Sequence, residues 1–146
     1  MNIDNINWKI LKCLQENARQ SNTKIASEIG ISSPAIAERI RKLEDAGVIT
    51  GYTAKISYYE VGHQLKALIT LKAFMGRLKP FLQKVKTFNE VINCYRVTGN
   101  ENIVMEVVLK DQKHLEKLID QLITYGECKT QIILSDVIEN KPILTN

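Results

Sequence analysis

Apolar and polar positions along this chain repeat with two different periods, and the change of period divides it. Up to Gly47 the apolar residues return every three to four positions, the spacing of a helix face. Asp4 reads as an N-cap, with Ile3 before it and Trp8 four positions on able to form a hydrophobic staple; Ile10, Leu11 and Leu14 continue that face to about Asn17. Ile25, Ala26 and Ile29 make a second apolar face. Gly30 follows, where glycine supplies a left-handed helix end. Ser32 and Ser33 are N-cap residues and Pro34 suits a first helical position. Ile36, Ile40 and Leu43 form a third face, which Gly47 stops. Two short helices joined by a glycine turn over 22–47, backed by the first helix, predict a helix-turn-helix.

After Gly47 the stretch VITGYTAKIS is rich in β-forming residues and predicts a strand leaving the helical region. Residues 58–62 read as a short linker. From His63 onward, alternation and helical spacing take turns. Lys66–Phe74 alternates as a strand. Leu78, Phe81, Leu82 and Val85 predict a helix over Arg77–Thr87, and Val91–Thr98 is a strand. Gly99-Asn100-Glu101-Asn102 is a hairpin turn to the strand Ile103–Leu109. Asp111 caps a helix with the stripe Leu115, Leu118, Ile119, Leu122 and Ile123, which Gly126 is expected to end. Thr130–Ile138 is the final strand and 139–146 a polar tail. The order β-α-β-β-α-β is the ferredoxin-like arrangement. The expected fold is therefore α+β, with a (winged) helix-turn-helix domain over 1–50, a strand and linker over 51–62, and a sheet domain over 63–138. Two helices cover only one face of four strands. Ile103, Met105 and Val107 are apolar on one face, and Val104 and Val108 on the other, so the second face calls for a partner sheet from another copy, most simply in a two-fold dimer.

Charge modifies this picture little. Lys and Arg total 20 against 16 Asp and Glu, a formal net charge of +4. On the third helix Arg39, Arg41 and Lys42 are matched by Glu38, Glu44 and Asp45, whereas Arg77, Lys79, Lys84 and Lys86 form a basic run without an acid, expected to be a solvated helix face rather than a DNA track. The case for DNA thus rests on the motif rather than on bulk charge. A recognition helix lays its N-terminal half in the major groove. At 100° per residue, Pro34, Glu38, Arg41 and Asp45 point away from the Ile36/Ile40/Leu43 face, with Ala37 and Lys42 beside them. Ser33, Ala37, Glu38 and Arg41 are the expected base-reading side chains: Arg suits guanine, Glu accepts from cytosine N4 and Ala meets a thymine methyl. Ser32, Pro34, Arg39 and Lys42 complete this candidate surface. Arg19, Asn22, Thr23 and Lys24, at the start of the second helix, are candidate phosphate contacts. The alternative for the same stretch is a helical hairpin with a solvated charged face.

Cys13, Cys94 and Cys128 are odd in number and scattered, and His63 and His114 stand alone, so neither a zinc site nor a disulfide frame is expected. No catalytic motif is present, and an enzyme, a metal or a cofactor is not expected. There is no 18-residue apolar run and no secretory leader pattern, so the expected place is the cytoplasm, away from membranes.

Several groups of residues together carry a more specific likeness: Ile3-Asp4 and Ile10-Leu11, Asn17-Ala18-Arg19, Ile29-Gly30-Ile31-Ser32, Arg39-Ile40 with Leu43-Glu44, and Gly47-Val48-Ile49 with Gly51-Tyr52. With the β-α-β-β-α-β region behind them, they make the chain resemble the Lrp/AsnC family of feast/famine transcriptional regulators over nearly its whole length. The resemblance implies a regulator of double-stranded DNA. It implies a C-terminal domain, often called RAM, that dimerises and binds a small effector, typically an amino acid. It also implies further assembly, commonly a ring of four dimers, an octamer. It places the effector where the Gly99–Asn102 turn meets the loop 125–130, which makes Thr98, Gly99, Asn102, Tyr125, Gly126 and Thr130 the candidate effector residues. Two departures stand out. Position 7 is Asn where the family often has Asp, a change expected to matter little. The turn reads Gly99-Asn100-Glu101-Asn102 where amino-acid sensors usually carry Gly-x-x-Asp. Asn102 brings an acceptor but no charge, so weak binding of free amino acids is expected. An architectural protein that wraps or bridges DNA is the alternative function.

Overall fold

A computed structural model describes residues 3–145 of the chain. The chain separates into two units, one running up to Lys55 and rejoined by the chain from Ile138 onward, the other Ile56–Val137.

The first unit holds α1 (Asn5–Glu16), α2 (Asn22–Ile29) and α3 (Ser33–Asp45). Each helix starts on a side-chain cap: Asp4 accepts from the Asn7 amide, Ser21 from that of Lys24, and Ser32 from that of Ala35. Gly30 takes the left-handed φ of 86° at the end of α2 and so turns the chain into α3. Ile10, Ile25, Ile36 and Leu43 are fully buried between the three helices, with Ile29, Ile31, Ile40, Val48 and Ile49 packed around them. Each such side chain contributes about 1.5–3 kcal/mol of burial. The strand expected over VITGYTAKIS does not form: residues 48–57 lie outside helix and strand. β-forming residues become a strand only when another strand supplies the ladder, and none among the described residues does. Instead, the Tyr52 hydroxyl donates to Glu44 Oε1 at 2.8 Å, tying this segment to the end of α3. The expected polar tail also has a place. The Gln15 carboxamide on α1 both donates to the Ile143 carbonyl at 3.0 Å and accepts from its amide at 2.8 Å.

The second unit contains β1 (Leu65–Ala73), α4 (Leu78–Lys84) continued by a 3-10 turn over Val85–Thr87, β2 (Val91–Arg96), β3 (Ile103–Leu109), α5 (Gln112–Leu122) and β4 (Gly126–Ile132). The sheet order is β2-β3-β1-β4 with every pair antiparallel, the ferredoxin-like topology. Ala67, Ile69, Leu71, Ile103, Met105 and Val107 face α4 and α5 and meet Phe81, Val85, Leu118 and Leu122 in one buried core.

Three expectations change here. Gly126 does not end α5; the helix stops at Leu122 and Gly126 opens β4, pairing with Ala73. The last strand accordingly begins four residues before Thr130 and ends at Ile132, not Ile138. Beyond it the Ile133 amide donates to the Lys66 carbonyl at 2.9 Å, after which the chain leaves the sheet with Leu134 and Val137 exposed. Finally, the sheet face opposite the helices is mixed rather than apolar. Register places Leu68, Val104, Val108 and Tyr95 there, but also Thr70, Asn93, Glu106, Lys129 and Gln131. Lys66, buried on this face, donates to Asp136 Oδ1 at 2.8 Å beneath the Tyr58 ring.

Candidate nucleic-acid interface and effector site

The sequence from Ser21 to Asp45 builds a surface whose outer side chains pair with one another. Pro34 in the first turn of α3 and the Ser32 cap fix where the helix begins. Ile36 and Leu43 are buried, which leaves Pro34, Ala37, Glu38, Arg41, Lys42 and Asp45 exposed and Ser33 half-buried. Arg41 Nη2 lies 2.9 Å from Glu38 Oε1 and 3.1 Å from Oε2, while Nη1 reaches Asp45 Oδ2 at 3.3 Å. Lys42 Nζ sits 3.5 Å from the same Glu38 carboxylate. Hydrogen bonding to Arg41 holds the Glu38 carboxyl below its ordinary range, and Glu38 in turn raises Arg41. These are exposed pairs three or four residues apart, the class of ion pair that contributes least to stability. The outer face of α3 is therefore a set of charges whose mutual pairing costs little to give up.

Arg39 stands apart. Its Nη1 donates to Asp4 Oδ2 at 2.7 Å and to Asn7 Oδ1 at 2.9 Å. It braces α3 against the start of α1 instead of facing outward with Arg41, a correction to its grouping with the DNA-facing residues. Asn7 is only 5% exposed, so the family departure at this position falls on a buried contact of the helical core. The sequence pattern does not mark this brace; Asp4, the N-cap of α1, and Asn7 in its first turn are the half of it that lies close together in the chain. Elsewhere, Thr23 and Lys24 are exposed in the first turn of α2, and Asn22 is half-buried there. Arg19 is exposed, with its amide held by Asn17 Oδ1 at 3.0 Å.

The candidate effector residues gather around the end of β1, from its two sides. From the β3 side, the Asn102 amide donates to the Leu71 carbonyl at 3.0 Å, and Asn102 Oδ1 accepts from the Ala73 amide at 2.8 Å. The Asn102 carbonyl also closes the turn by accepting from Val97. Asn102 thus spends one hydrogen bond of its side-chain oxygen on β1. From the β4 side, the Tyr125 carbonyl accepts from the Phe74 amide at 2.9 Å, and Gly126 runs against β1 so closely that a Cβ would lie 2.2 Å from the Lys72 carbonyl oxygen. The Tyr125 ring is held edge-on to Phe81 and under the Arg77 guanidinium, 4.8 Å from its centroid. Lys129 Nζ meets Glu101 Oε1 at 2.7 Å and links β4 to the turn. Hydrogen bonding to Lys129 is the main reason the Glu101 carboxyl sits below its ordinary range. Thr98 and Gly99 are exposed, and Thr130 is half-buried on the helix side, paired with Ile69. Among the described residues no group of His, Cys, Asp and Glu is placed to hold a metal ion, and no helix is long and apolar enough to cross a membrane.

Comparison with known proteins fits both halves of this arrangement. The winged helix-turn-helix DNA-binding family matches residues 3–50, and the Lrp/AsnC ligand binding domain matches residues 66–143. HTH-type transcriptional regulator Ptr1 of Methanocaldococcus jannaschii is 32% identical over 136 residues, which is 90% of this chain and 92% of that one. Among solved structures, Escherichia coli AsnC superposes with a TM-score of 0.85 at 26% identity, covering 95% of this chain and 97% of its own. A Neisseria meningitidis transcriptional regulator, solved as its complex with L-Met, shares the fold with a TM-score of 0.92 at 24% identity, over 97% and 96% of the two chains. Over more than half its length this chain matches the ligand-binding domain model, and with its helix-turn-helix it belongs to the Lrp/AsnC family of HTH-type transcriptional regulators, which are not enzymes.

Proposed function

We propose that this regulator reads a specific double-stranded DNA sequence with the outer face of α3, as a dimer that assembles further, up to an octamer, in the cytoplasm. In this reading residues 1–50 form the DNA-binding domain, 51–62 the connection, 63–138 the effector-binding and dimerising domain and 139–146 the tail. Ser33, Ala37, Glu38 and Arg41 meet base edges; Arg19, Asn22, Thr23, Lys24, Ser32, Pro34 and Lys42 hold or approach the backbone. The observation that carries the reading is the exposed Glu38–Arg41–Asp45 network, whose Arg41 fork is pre-positioned on the helix and weakly held. An Arg–guanine contact contributes about 1–3 kcal/mol of discrimination. Fragments selected from genomic DNA by the wild-type chain define the operator. Arg41→Ala should then weaken operator binding by that amount and relax one position of the selected sequence, with the fold intact. Unchanged affinity and an unchanged selected sequence would refute this placement of α3.

The open sheet face, with Leu68, Val104, Val108 and Tyr95 among its residues, supports self-association; light scattering on the full chain giving a monomer would exclude it. For the effector, the pocket of this reading lies at the end of β1 between Thr98–Asn102 and 125–130. One observation favours the architectural alternative: Asn102 is uncharged and already bonded to Ala73. Calorimetric titration with the twenty amino acids separates the two. Micromolar heat from any of them supports a sensor, and no heat supports a DNA-organising protein or an unrelated effector.

A further inference from the structure

The formal charge of +4 is not spread over the chain. Arg77, Lys79, Lys84 and Lys86 supply four cations within ten residues that contain no acid, so these side chains are equal to the whole excess of 20 Lys and Arg over 16 Asp and Glu. Elsewhere cations and acids are interspersed. On α3 they pair directly, and on α5 Lys113 and Lys117 are interleaved with Glu116 and Asp120. On α4 and its 3-10 extension they do not. Among the described residues none of these four side chains has an ion pair. Phe81 and Val85 are buried and Leu78 and Leu82 half-buried, so this segment turns its other side out. There Lys79, Gln83 and Lys86 follow one another at i, i+4 and i+7, with Pro80, Lys84 and Thr87 in the adjacent row, all exposed. Arg77 is occupied differently, stacked on Tyr125 with Nε donating to the Thr124 carbonyl at 3.3 Å. Lys84 Nζ lies 5.6 Å from the Phe88 ring, a contact that leaves its charge unneutralised.

We infer that the outer face of α4, through Lys79, Lys84 and Lys86, is a second contact for DNA, independent of sequence and separate from α3. The occupant follows from chemistry. Unpaired lysines are mobile point charges that suit phosphate oxygens rather than base edges, and a polyanion is the partner that neutralises several at once. DNA is the polyanion this family's helix-turn-helix brings to the chain, so the inference rests on the DNA-binding reading above. It places the backbone of DNA flanking the operator on the sheet unit.

The test compares the full chain with its Lys79→Gln/Lys84→Gln/Lys86→Gln variant on two ligands: a short duplex limited to the selected operator, and a long fragment with the operator at its centre. Each lysine–phosphate contact adds about 0.9 to the slope of log affinity against log salt concentration. On the long fragment the variant should lose about 2–3 from that slope and at least tenfold in affinity near 0.1 M salt. On the short duplex it should match the wild type, and its preference for the operator should persist. A Lys→Arg triple variant should keep the wild-type slope. Equal slopes for both proteins on the long fragment overturn the inference. So does an equal drop on both ligands, which is what loss of net charge alone produces. Lys79→Gln/Lys86→Gln, which leaves the Lys84–Phe88 contact in place, should lose about 2 from the slope and guards against an effect of altered packing. Arg41→Ala separates the two readings: it should weaken operator preference at one position yet retain the difference in slope between long and short DNA. Absence of DNA binding by the wild type would instead overturn the regulator reading itself.

Discussion

The outer face of α3 and the Gly99–Asn102 turn carry similar polar side chains, but they are partnered over very different distances along the chain. On α3, Arg41 is held by Glu38 and Asp45, three and four residues away, and all three stay exposed. In the turn, Asn102 is bonded to Ala73 and Glu101 to Lys129, 29 and 28 residues away. Short-range pairs on a helix form whenever the helix forms and contribute little, so they can be exchanged for a ligand without loss of fold. The long-range pairs add to strands already joined by the sheet ladder, and removing the Asn102 one leaves the Ala73 amide unsatisfied. Pairs of the first kind leave a surface free to take other partners. Those of the second kind are committed to the fold.

The sharpest contrast is between two glycines. Gly126 faces the β1 backbone, where a Cβ would lie 2.2 Å from the Lys72 carbonyl oxygen and 2.9 Å from Ala73 Cα. Gly30 meets nothing within 4 Å and is constrained only by its φ of 86°. Gly126→Ala should therefore force β4 off β1 and destabilise the sheet unit by about 3 kcal/mol, the upper end of overpacking costs. Gly30→Ala should lose about 1–2 kcal/mol through left-handed strain. Urea unfolding of the two variants measures both. If Gly126→Ala were no more harmful than Gly30→Ala, the distinction between long-range and local constraint would fail.

Asn102 sharpens the comparison on a smaller scale. Asn102→Ala removes the acceptor for the Ala73 amide and should cost about 1–2 kcal/mol, the effect of orphaning a part-buried donor. Asn102→Asp keeps an oxygen in place and should retain most of the stability, while adding the charge an amino-acid ammonium group could pair with. Chemical unfolding and calorimetry with amino acids read the two effects separately. An Asn102→Ala chain as stable as the wild type would mean that the carboxamide is free for a ligand after all.

How much of this was legible in the sequence follows the same division. The three helices, their caps at Asp4 and Ser32, the Gly30 turn and the outward set around Arg41 were readable, because each depends on residues within one or two turns. The order of strands and helices in the second unit was readable too, from the change of period. Roles that need a distant partner were not. Gly126 looked like a helix stop because it follows the α5 stripe, but what demands glycine there is Lys72, on a strand that pairs with it only after folding. VITGYTAKIS looked like a strand because of its composition, although composition supplies no ladder. Arg39 counted as DNA-facing by its charge, and only the packing of α1 on α3 turns it toward Asp4. The apolar second face inferred from β3 alone was diluted by residues that register brings in from β1, β2 and β4.

The smallest effect concerns that same Arg39 brace, a long-range pair inside the otherwise local helical unit. Asp4 accepts from the Asn7 amide and from Arg39, and these two hydrogen bonds, the backbone one first, hold its carboxyl below the usual value of 3.8. A carboxyl depressed in the folded state contributes stability above its unfolded pKa and loses that contribution as pH falls through the folded one. Asp4→Asn keeps a capping oxygen, since Asn caps helices as well as Asp does, and removes the charge shared by the cap and Arg39 together with one acceptor. The wild type should then be more stable than Asp4→Asn at neutral pH, with the difference constant down to about pH 4 and shrinking below it. In the Arg39→Ala background the same Asp4→Asn step should show a smaller pH-dependent gap, the remainder coming from the cap. Thermal melts of the four chains between pH 3 and pH 7 measure the difference. A pH-dependent gap as large without Arg39 as with it would mean that Asp4 is depressed through its cap alone, and that the brace to α3 contributes nothing through charge.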